Sequence, residues 1–431
     1  MIGIGTFTSM RLLFTHIAQL AGVSTSPSLK RGAQLATLET ISNAWLLVED
    51  GCIAAYGTMD ALPATYAKVT NRLNASGRMV LPAWCDSHTH LVFAGSRETE
   101  FVLKLKGASY ADIAAQGGGI HHSARALQQV SEDRLFALAW QRVQEAAQMG
   151  TGALEIKSGY GLTPESEIRM LRVIRRLQQR SQLTIKATFL GAHALPELYY
   201  HNREGYLQLL IDEMLPRIAA EKLADFIDVF CETGFFTPDE LDRICRAGKA
   251  YGLQPKVHVN QLSSSGALQA ALQLPALSAD HLEVMTRQDI DAIAASSTIA
   301  TLLPTAAFFL RMPFQPARQL IDAGAAVALA SDYNPGSSPS ANMNLVVAMA
   351  CIGMRMLPEE AINAATINGA YAMQAHTVVG SITPGKHANL ILTKPVPSLA
   401  YLPYSFGSNL IEQVYIRGQL QPLQPLQPPV L

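Results

Sequence analysis

The sequence predicts an α/β protein: a (β/α)8 TIM-like barrel joined to a smaller β-sandwich domain that the N- and C-terminal segments build together. Three observations carry this. Between residues 81 and 373, eight short apolar runs alternate with helical stretches, the pattern of a parallel sheet with crossover helices. On either side, residues 10–80 and 374–418 read as short strands joined by tight turns, the two halves of one composite domain. Polar residues gather just past the ends of the apolar runs, where barrels of this type keep their sites. Residues 419–431 read as an extended Pro/Gln-rich tail.

Composition sets the frame. The chain has 431 residues, 49% of them hydrophobic, enough for a large buried core. Its 33 basic and 34 acidic residues leave a net charge of −1, which argues against nucleic acid or anionic lipid as a partner. No apolar run reaches membrane-spanning length; the longest candidate, 299–310, is broken by Pro304. The opening residues lack a basic leader followed by a clean apolar core, so no signal peptide is expected. Five dispersed cysteines without a C-x-x-C spacing suggest reduced thiols and a cytoplasmic protein.

Taken in order, the run at 45–48, the turn Glu49-Asp50-Gly51 and the run at 52–57 predict a hairpin. The barrel strands are expected at 80–85, 152–156, 184–190, 225–230, 254–257, 277–279, 299–303 and 325–330. Helix starts are marked by Thr163-Pro164-Glu165 and by Thr237-Pro238-Asp239-Glu240, the latter a capping box. Helical periodicity covers 131–149 and 168–177. After Met373 the β pattern returns at 378–382, 389–392 and 411–416, which are expected to complete the sheet begun by the first seventy residues.

The chemistry accumulates at the strand ends. In an extended strand side chains two residues apart share a face, so His88 and His90 of Asp86-Ser87-His88-Thr89-His90 project together. Of eleven histidines, five fall at predicted strand ends: His88, His90, His193, His258 and His281. One such histidine is ordinary; five together are not. His88, His90, His258 and Asp332 make a nitrogen-rich set with one hard oxygen, which suits Zn or Fe better than Mg or Ca. Asp332 is placed to touch the metal and accept a proton, and His281 to orient water. No lysine lies between Asp225 and Thr237 to bridge two metals, so one divalent or trivalent ion per subunit is expected. Arg97 is a candidate clamp for a carboxylate, and Tyr160, between Gly159 and Gly161, a loop aromatic near a ligand. The run Gly117-Gly118-Gly119 lacks the lysine of a phosphate loop and reads as a lid or helix entry.

These residues resemble a known layout. His-x-His, a histidine after strand five, another after strand six and an aspartate after strand eight are similar to the amidohydrolase superfamily in its mononuclear form. The stretches 86–97, 155–162, 189–193, 278–282 and 331–337 resemble, within it, the imidazolonepropionase family. The resemblance runs from about residue 17 to 416. It implies opening of the 4-imidazolone-5-propanoate ring by water, giving N-formimidoyl-L-glutamate, and a homodimer acting on a small molecule. It implies metal binding by His88, His90, His258 and Asp332, and carboxylate binding by Arg97. Tyr160, His193, Gln261 and Ser337 would contact the ring or its substituents. Asn334 and the backbone of Gly336 would meet the product. Gln261 stands where some members carry glutamate, which sets it beside Asp332 and His281 as a catalytic candidate.

Overall fold

The computed structural model describes residues 10–108 and 118–422. The first nine residues, Gly117 of the glycine run and the tail beyond residue 422 lie outside the described residues.

The chain begins with β1 (Arg11–Ala21), β2 (Thr40–Glu49), β3 (Cys52–Thr58), β4 (Arg72–Asn74) and β5 (Met79–Pro82). Eight strands follow: β6 (Trp84–Thr89), β7 (Thr151–Lys157), β8 (Thr184–Ala192), β9 (Phe226–Cys231), β10 (Gln254–Val259), β11 (Ser278–His281), β12 (Ile299–Leu302) and β13 (Val327–Leu329). The chain then adds β14 (Leu390–Thr393), β15 (Ile411–Ile416) and β16 (Gln419–Leu420). Hydrogen bonding sorts these into two sheets. One is mixed and runs β16-β15-β14-β5-β1-β2-β3, with β4 beside β1. The other is parallel and runs β6 through β13 in sequence order.

The mixed sheet draws on both ends of the chain. Its hairpin turns at Asp50 (φ 48°) and Gly51 (φ 81°), a two-residue loop with both φ positive, between the paired Glu49 and Cys52. Such a loop matches the right-handed twist of the flanking strands. Phe14 of β1 meets Tyr415 of β15 edge-on with ring centroids 5.1 Å apart, although β5 and β14 lie between them. Across a flat sheet that separation would be about 14 Å at the usual strand spacing. The sheet therefore curls until its inner face closes on an apolar core that includes Leu46, Val80 and Leu390. Segment 378–382 forms no ladder; Ile382 makes only a single bridge to Val23.

The apolar run at 79–85 is two strands, not one. Ala83 N–H donates to Asn389 O of the mixed sheet at 2.9 Å, and the next donor, Trp84 N–H, turns to Gly150 O of the barrel at 2.9 Å. The barrel's first strand thus begins later than the apolar run and carries on through His88. Asn389 ties the two sheets together: its Nδ2 donates to Gly152 O at 3.1 Å and its Oδ1 accepts from Arg417 N at 2.9 Å.

Helices cover the outside of the parallel strands. Thr163 caps Pro164–Arg180 by accepting Ser166 N–H, and Thr237 with Glu240 forms a complete capping box on Pro238–Ala250. Ile168, Leu171, Ile174 and Leu177 line one face of the first of these and are fully buried. Each such side chain contributes roughly 1.5–3 kcal/mol by burial, so a charge at Leu171 would break the packing. The inner face of the strands is different. Glu155, Lys157, Asp228, Lys256 and Asp280 are charged and buried in the barrel's interior. Closure of the barrel falls at its C-terminal rim, where Asp332 N–H donates to His88 O at 3.0 Å and His90 N–H donates to Tyr333 O at 2.9 Å.

Candidate metal centre and cavity

That closing seam brings the first and last strands together at the predicted ligands. His88 lies within β6 and His90 just beyond it, both aimed inward as their spacing requires. Asp332 follows β13 with φ 52°, and His281 ends β11 with φ 87°. Non-glycine residues at such φ cost of order 1–3 kcal/mol and persist where their surroundings fix them. Here the kinks turn both side chains toward the histidines.

Four atoms converge. His88 Nε2 lies 3.2 Å from His90 Nε2, and His258 Nε2 lies 3.3 Å from His90 Nε2. Asp332 Oδ1 is 3.5 Å from His88 Nε2 and 3.6 Å from His90 Nε2. A tetrahedral metal with ligands at about 2.0–2.1 Å holds them about 3.3–3.4 Å apart. These four edges are close to those of a tetrahedral ion; within 4.8 Å, His88 and His90 cluster with Asp332, and His88 and His258 cluster with His281. Burial, reinforced by Lys157 and by neighbouring histidines, holds His88 and His258 well below the usual imidazole range. Burial with His193 does the same for His90. The rings are therefore neutral. His88 Nδ1–H donates to Asp280 Oδ2 at 2.7 Å and His258 Nδ1–H donates to Asp228 at 3.0 Å. Both hydrogen bonds put the proton on Nδ1 and leave the Nε2 lone pair for a metal.

His281 stands beside this set, its ring nitrogen within 4.8 Å of those of His88 and His258. Burial opposes its charge, yet Glu283, with Nδ1 and Oε1 3.4 Å apart, and Asp332 lift it to about 9. Asp332 is pushed up to about 6 by burial, against His281 and the Ser337 hydroxyl, which donates to Oδ2 at 3.0 Å.

A cavity of about 490 Å³ opens above these groups. Arg97, Tyr160, His193, Gln261, Asn334, Gly336 and Ser337 all line it, so every residue singled out for substrate contact reaches one space. His193 stacks on His90 with centroids 5.3 Å apart and planes 16° apart. Its Nδ1–H donates to Gly159 O at 3.0 Å, and burial lowers it to about 4, which leaves Nε2 as an acceptor. Arg97 is held by Glu100, with Nε and Nη2 at 2.8 and 2.7 Å from Oε2. Its Nη1 lies over Gly336, where a methyl group would sit 2.1 Å away.

Two of these residues also have partners within their own loop. All of Asn334's side-chain bonds stay in its own loop: Nδ2 donates to Asp332 O at 2.7 Å and to Ser337 Oγ at 2.6 Å, and Oδ1 accepts from Gly336 N at 2.7 Å and Ser337 N at 2.8 Å. The Gly336 N–H is thus already committed and Asn334 shapes the loop that positions Ser337 against Asp332.

Sequence reasoning also missed several residues. Glu232 accepts from the backbone N–H groups of Gln261, Leu262 and Ser263 and so fixes the loop that carries Gln261. Lys104, half-buried on the cavity wall, points Nζ to Gly336 O at 3.5 Å beside Arg97. A lysine seven residues past Arg97, on the same face two helical turns on, was the available signal.

A His/His/His/Asp cluster at the mouth of eight parallel strands defines a class, the amidohydrolases, and the model of the amidohydrolase family matches residues 79–420. The fold is shared with a triazine hydrolase variant (TM-score 0.71, 15% identity, covering 95% of this chain and 94% of that one). It is shared too with a guanine deaminase from C. acetobutylicum (TM-score 0.69, 15% identity, 95% and 100% covered). Curated relatives are nearer. An imidazolonepropionase from Flavobacterium johnsoniae is 53% identical over 412 residues, 95% of this chain and 100% of that protein. One from Geobacillus kaustophilus is 42% identical over 418 residues, 95% and 98% covered. The chain belongs to the imidazolonepropionase family of amidohydrolases.

Proposed function

We propose that the protein is a metal-dependent hydrolase that opens the ring of 4-imidazolone-5-propanoate, giving N-formimidoyl-L-glutamate in histidine degradation. The observation that carries this is the convergence of His88, His90, His258 and Asp332 beside a cavity with a cationic wall of Arg97 and Lys104. A substrate with a cyclic amide at one end and a carboxylate at the other spans that space. The names of the curated relatives agree with it.

We assign zinc or iron to His88, His90, His258 and Asp332, one ion per subunit. When bound, the metal polarises a carbonyl and lowers the pKa of a water to about 7. The chain's own groups do the rest. Arg97, pre-set by Glu100, and Lys104 receive the propanoate. Tyr160 and His193 form the wall against which the ring lies, with His193 Nε2 accepting a ring N–H. Asp332, whose Oδ2 accepts the Ser337 hydroxyl, takes a proton from the attacking water. His281 holds a proton up to about 9 and stabilises the oxygen on which charge develops. The carbonyl carbon gains oxygen, the C–N bond breaks and the ring nitrogen takes up the proton that Asp332 received. Gln261 contributes a neutral hydrogen-bonding amide to the ring; it is no base, so the proton work falls to Asp332 and His281.

We further infer a homodimer in the cytoplasm. The five cysteines are free thiols, in keeping with a reducing compartment. Among the described residues no helix is long and apolar enough to cross a membrane. The test of function is to add freshly prepared imidazolone propanoate and follow loss of its ultraviolet absorbance, with the product identified by mass spectrometry. Turnover above the spontaneous rate, yielding N-formimidoyl-L-glutamate, is expected. Metal-loaded protein that leaves the spontaneous rate unchanged would refute the assignment.

A further inference from the structure

We propose that Lys157 is a positioning residue for the metal centre: one buried ammonium clamps the two carboxylates that orient two different metal-binding histidines. The inference rests on the metal reading of His88, His90, His258 and Asp332, and it assigns a role to a lysine that touches neither metal ligand nor cavity.

The geometry is a branched relay. Lys157 Nζ, at the inner end of β7, lies 2.8 Å from Asp228 Oδ2 on β9 and 3.5 Å from Asp280 Oδ2 on β11. Its third contact is Glu155 Oε1 at 2.7 Å. Asp228 accepts the His258 ring N–H at 3.0 Å and the His258 backbone N–H at 3.2 Å. Asp280 accepts the His88 ring N–H at 2.7 Å and the Ser278 hydroxyl at 2.5 Å. All five side chains, Lys157 with Asp228, Asp280, His88 and His258, are buried at 2% exposure or less. An ammonium has three donors, and three carboxylates surround this one.

The consequence follows from distance. His88 and His258 stand on strands that are not neighbours, β6 and β10. Their Nε2 atoms nevertheless meet His90 Nε2 at 3.2 and 3.3 Å, the edge a tetrahedral ion needs. Strand backbones alone do not set imidazole planes to that precision. Carboxylate partners on Nδ1 do, and here both partners are anchored to one atom. Without the ammonium, Asp228 and Asp280 would lose their shared direct ion-pair partner and repel each other, with Lys256 acting on them only through its field. Removing one partner of a buried ion pair is destabilising whatever that partner positions, so metal affinity and coordination geometry, not stability, separate the clamp from a purely structural role.

A second lysine provides the contrast. Lys256 is just as buried, and its Nζ pairs with Glu155 and donates to Ser87 O at 3.2 Å and Ala372 O at 2.7 Å. Its charge also acts on Asp280 and Asp228, but its described contacts are Glu155 and two backbone carbonyls, not the carboxylates that orient the ligands.

The full-length protein, stripped of metal with a chelator, is titrated with Zn²⁺ against a competing indicator and with Co²⁺, whose visible spectrum reports coordination geometry. Circular dichroism confirms folding. Lys157→Met is expected to weaken Zn²⁺ binding about tenfold to a hundredfold and to alter the Co²⁺ spectrum. Lys256→Met, which removes a nearby charge but no direct contact to Asp228 or Asp280, is expected to weaken binding clearly less and to leave the Co²⁺ spectrum as in wild type. The double variant Lys157→Met with Glu155→Gln removes one positive and one negative charge, so it keeps the net charge of the network. It is expected to fold and to show the same weakening, which guards against misfolding of the single variant. Folded Lys157 variants with wild-type affinity overturn the clamp while leaving the metal site standing, as does equal weakening by Lys256→Met. Wild-type protein that binds no metal overturns the site and the clamp together.

Discussion

Gly336→Ala is the sharpest test of how the carboxylate is held. Gly336 has ordinary backbone angles, so alanine strains nothing locally, but its methyl would sit 2.1 Å from Arg97 Nη1 and 2.6 Å from Arg97 Cζ. The guanidinium is the far end of a flexible side chain, so it moves aside and the fold survives. What moves is the group that receives the substrate carboxylate. Glu100 already takes Nε and Nη2, which leaves Nη1 for the ligand. One hydrogen bond to a charged group contributes about 1.5–3 kcal/mol. At 1.4 kcal/mol per factor of ten, its loss raises KM about 10- to 150-fold. Because the carboxylate lies away from the scissile bond, the loss is uniform and kcat changes little. Arg97→Met should raise KM in the same range. The double variant should be no worse than either single one, since both act through one contact. Steady-state kinetics on the four proteins decide it. An unchanged KM for Gly336→Ala, or additive effects in the double variant, would refute the reasoning.

Three further outcomes are expected. Metal affinity should be level above about pH 6 and fall below it, because Asp332, raised to about 6 by burial, must be ionised to bind while burial holds the three histidines well below the usual imidazole range; chelator competition at several pH values checks this, and Asp332→Asn should make the fall shallower, leaving the part due to Asp228. Gly159→Ala should cost about 1–3 kcal/mol, because φ is +110° and the new methyl would lie 2.8 Å from His193 Nδ1, and it should raise KM by displacing that ring; denaturant unfolding and kinetics report the two parts. Glu232→Gln turns one acceptor of the cradle under Gln261 into a donor facing backbone N–H groups, at a cost of about 1–3 kcal/mol per orphaned group; hydrogen exchange at residues 261–263 should quicken.

Much of this was legible in the sequence because the polar site residues follow directly on the apolar runs of the barrel strands. The eight runs gave the eight parallel strands, and the caps at Thr163 and Thr237 marked helix starts that the structure repeats. The site residues could be collected from strand ends without knowing any distance. Three things were hidden, each for a physical reason. The run at 79–85 is continuous in hydrophobicity, and only the choice of backbone acceptor, Asn389 O or Gly150 O, divides it between two sheets. The resemblance implied Asn334 as a product contact; that its amide also bonds within its own loop is a matter of local geometry that a sequence does not carry. The charged barrel floor was overlooked because Glu155 and Lys157 sit inside an apolar strand. Their two-residue spacing on the buried face was the clue, since unpaired charges do not persist there.

The central claim is that one metal ion, held by His88, His90, His258 and Asp332, makes this protein an imidazolone-propanoate hydrolase. Metal-free protein titrated with Zn²⁺ or Fe²⁺ while turnover is measured tests it most directly. The account predicts that activity is absent at the start, rises in proportion to added metal and levels off at one equivalent per chain. Full activity in the metal-free protein, or a plateau only at two equivalents, would contradict it.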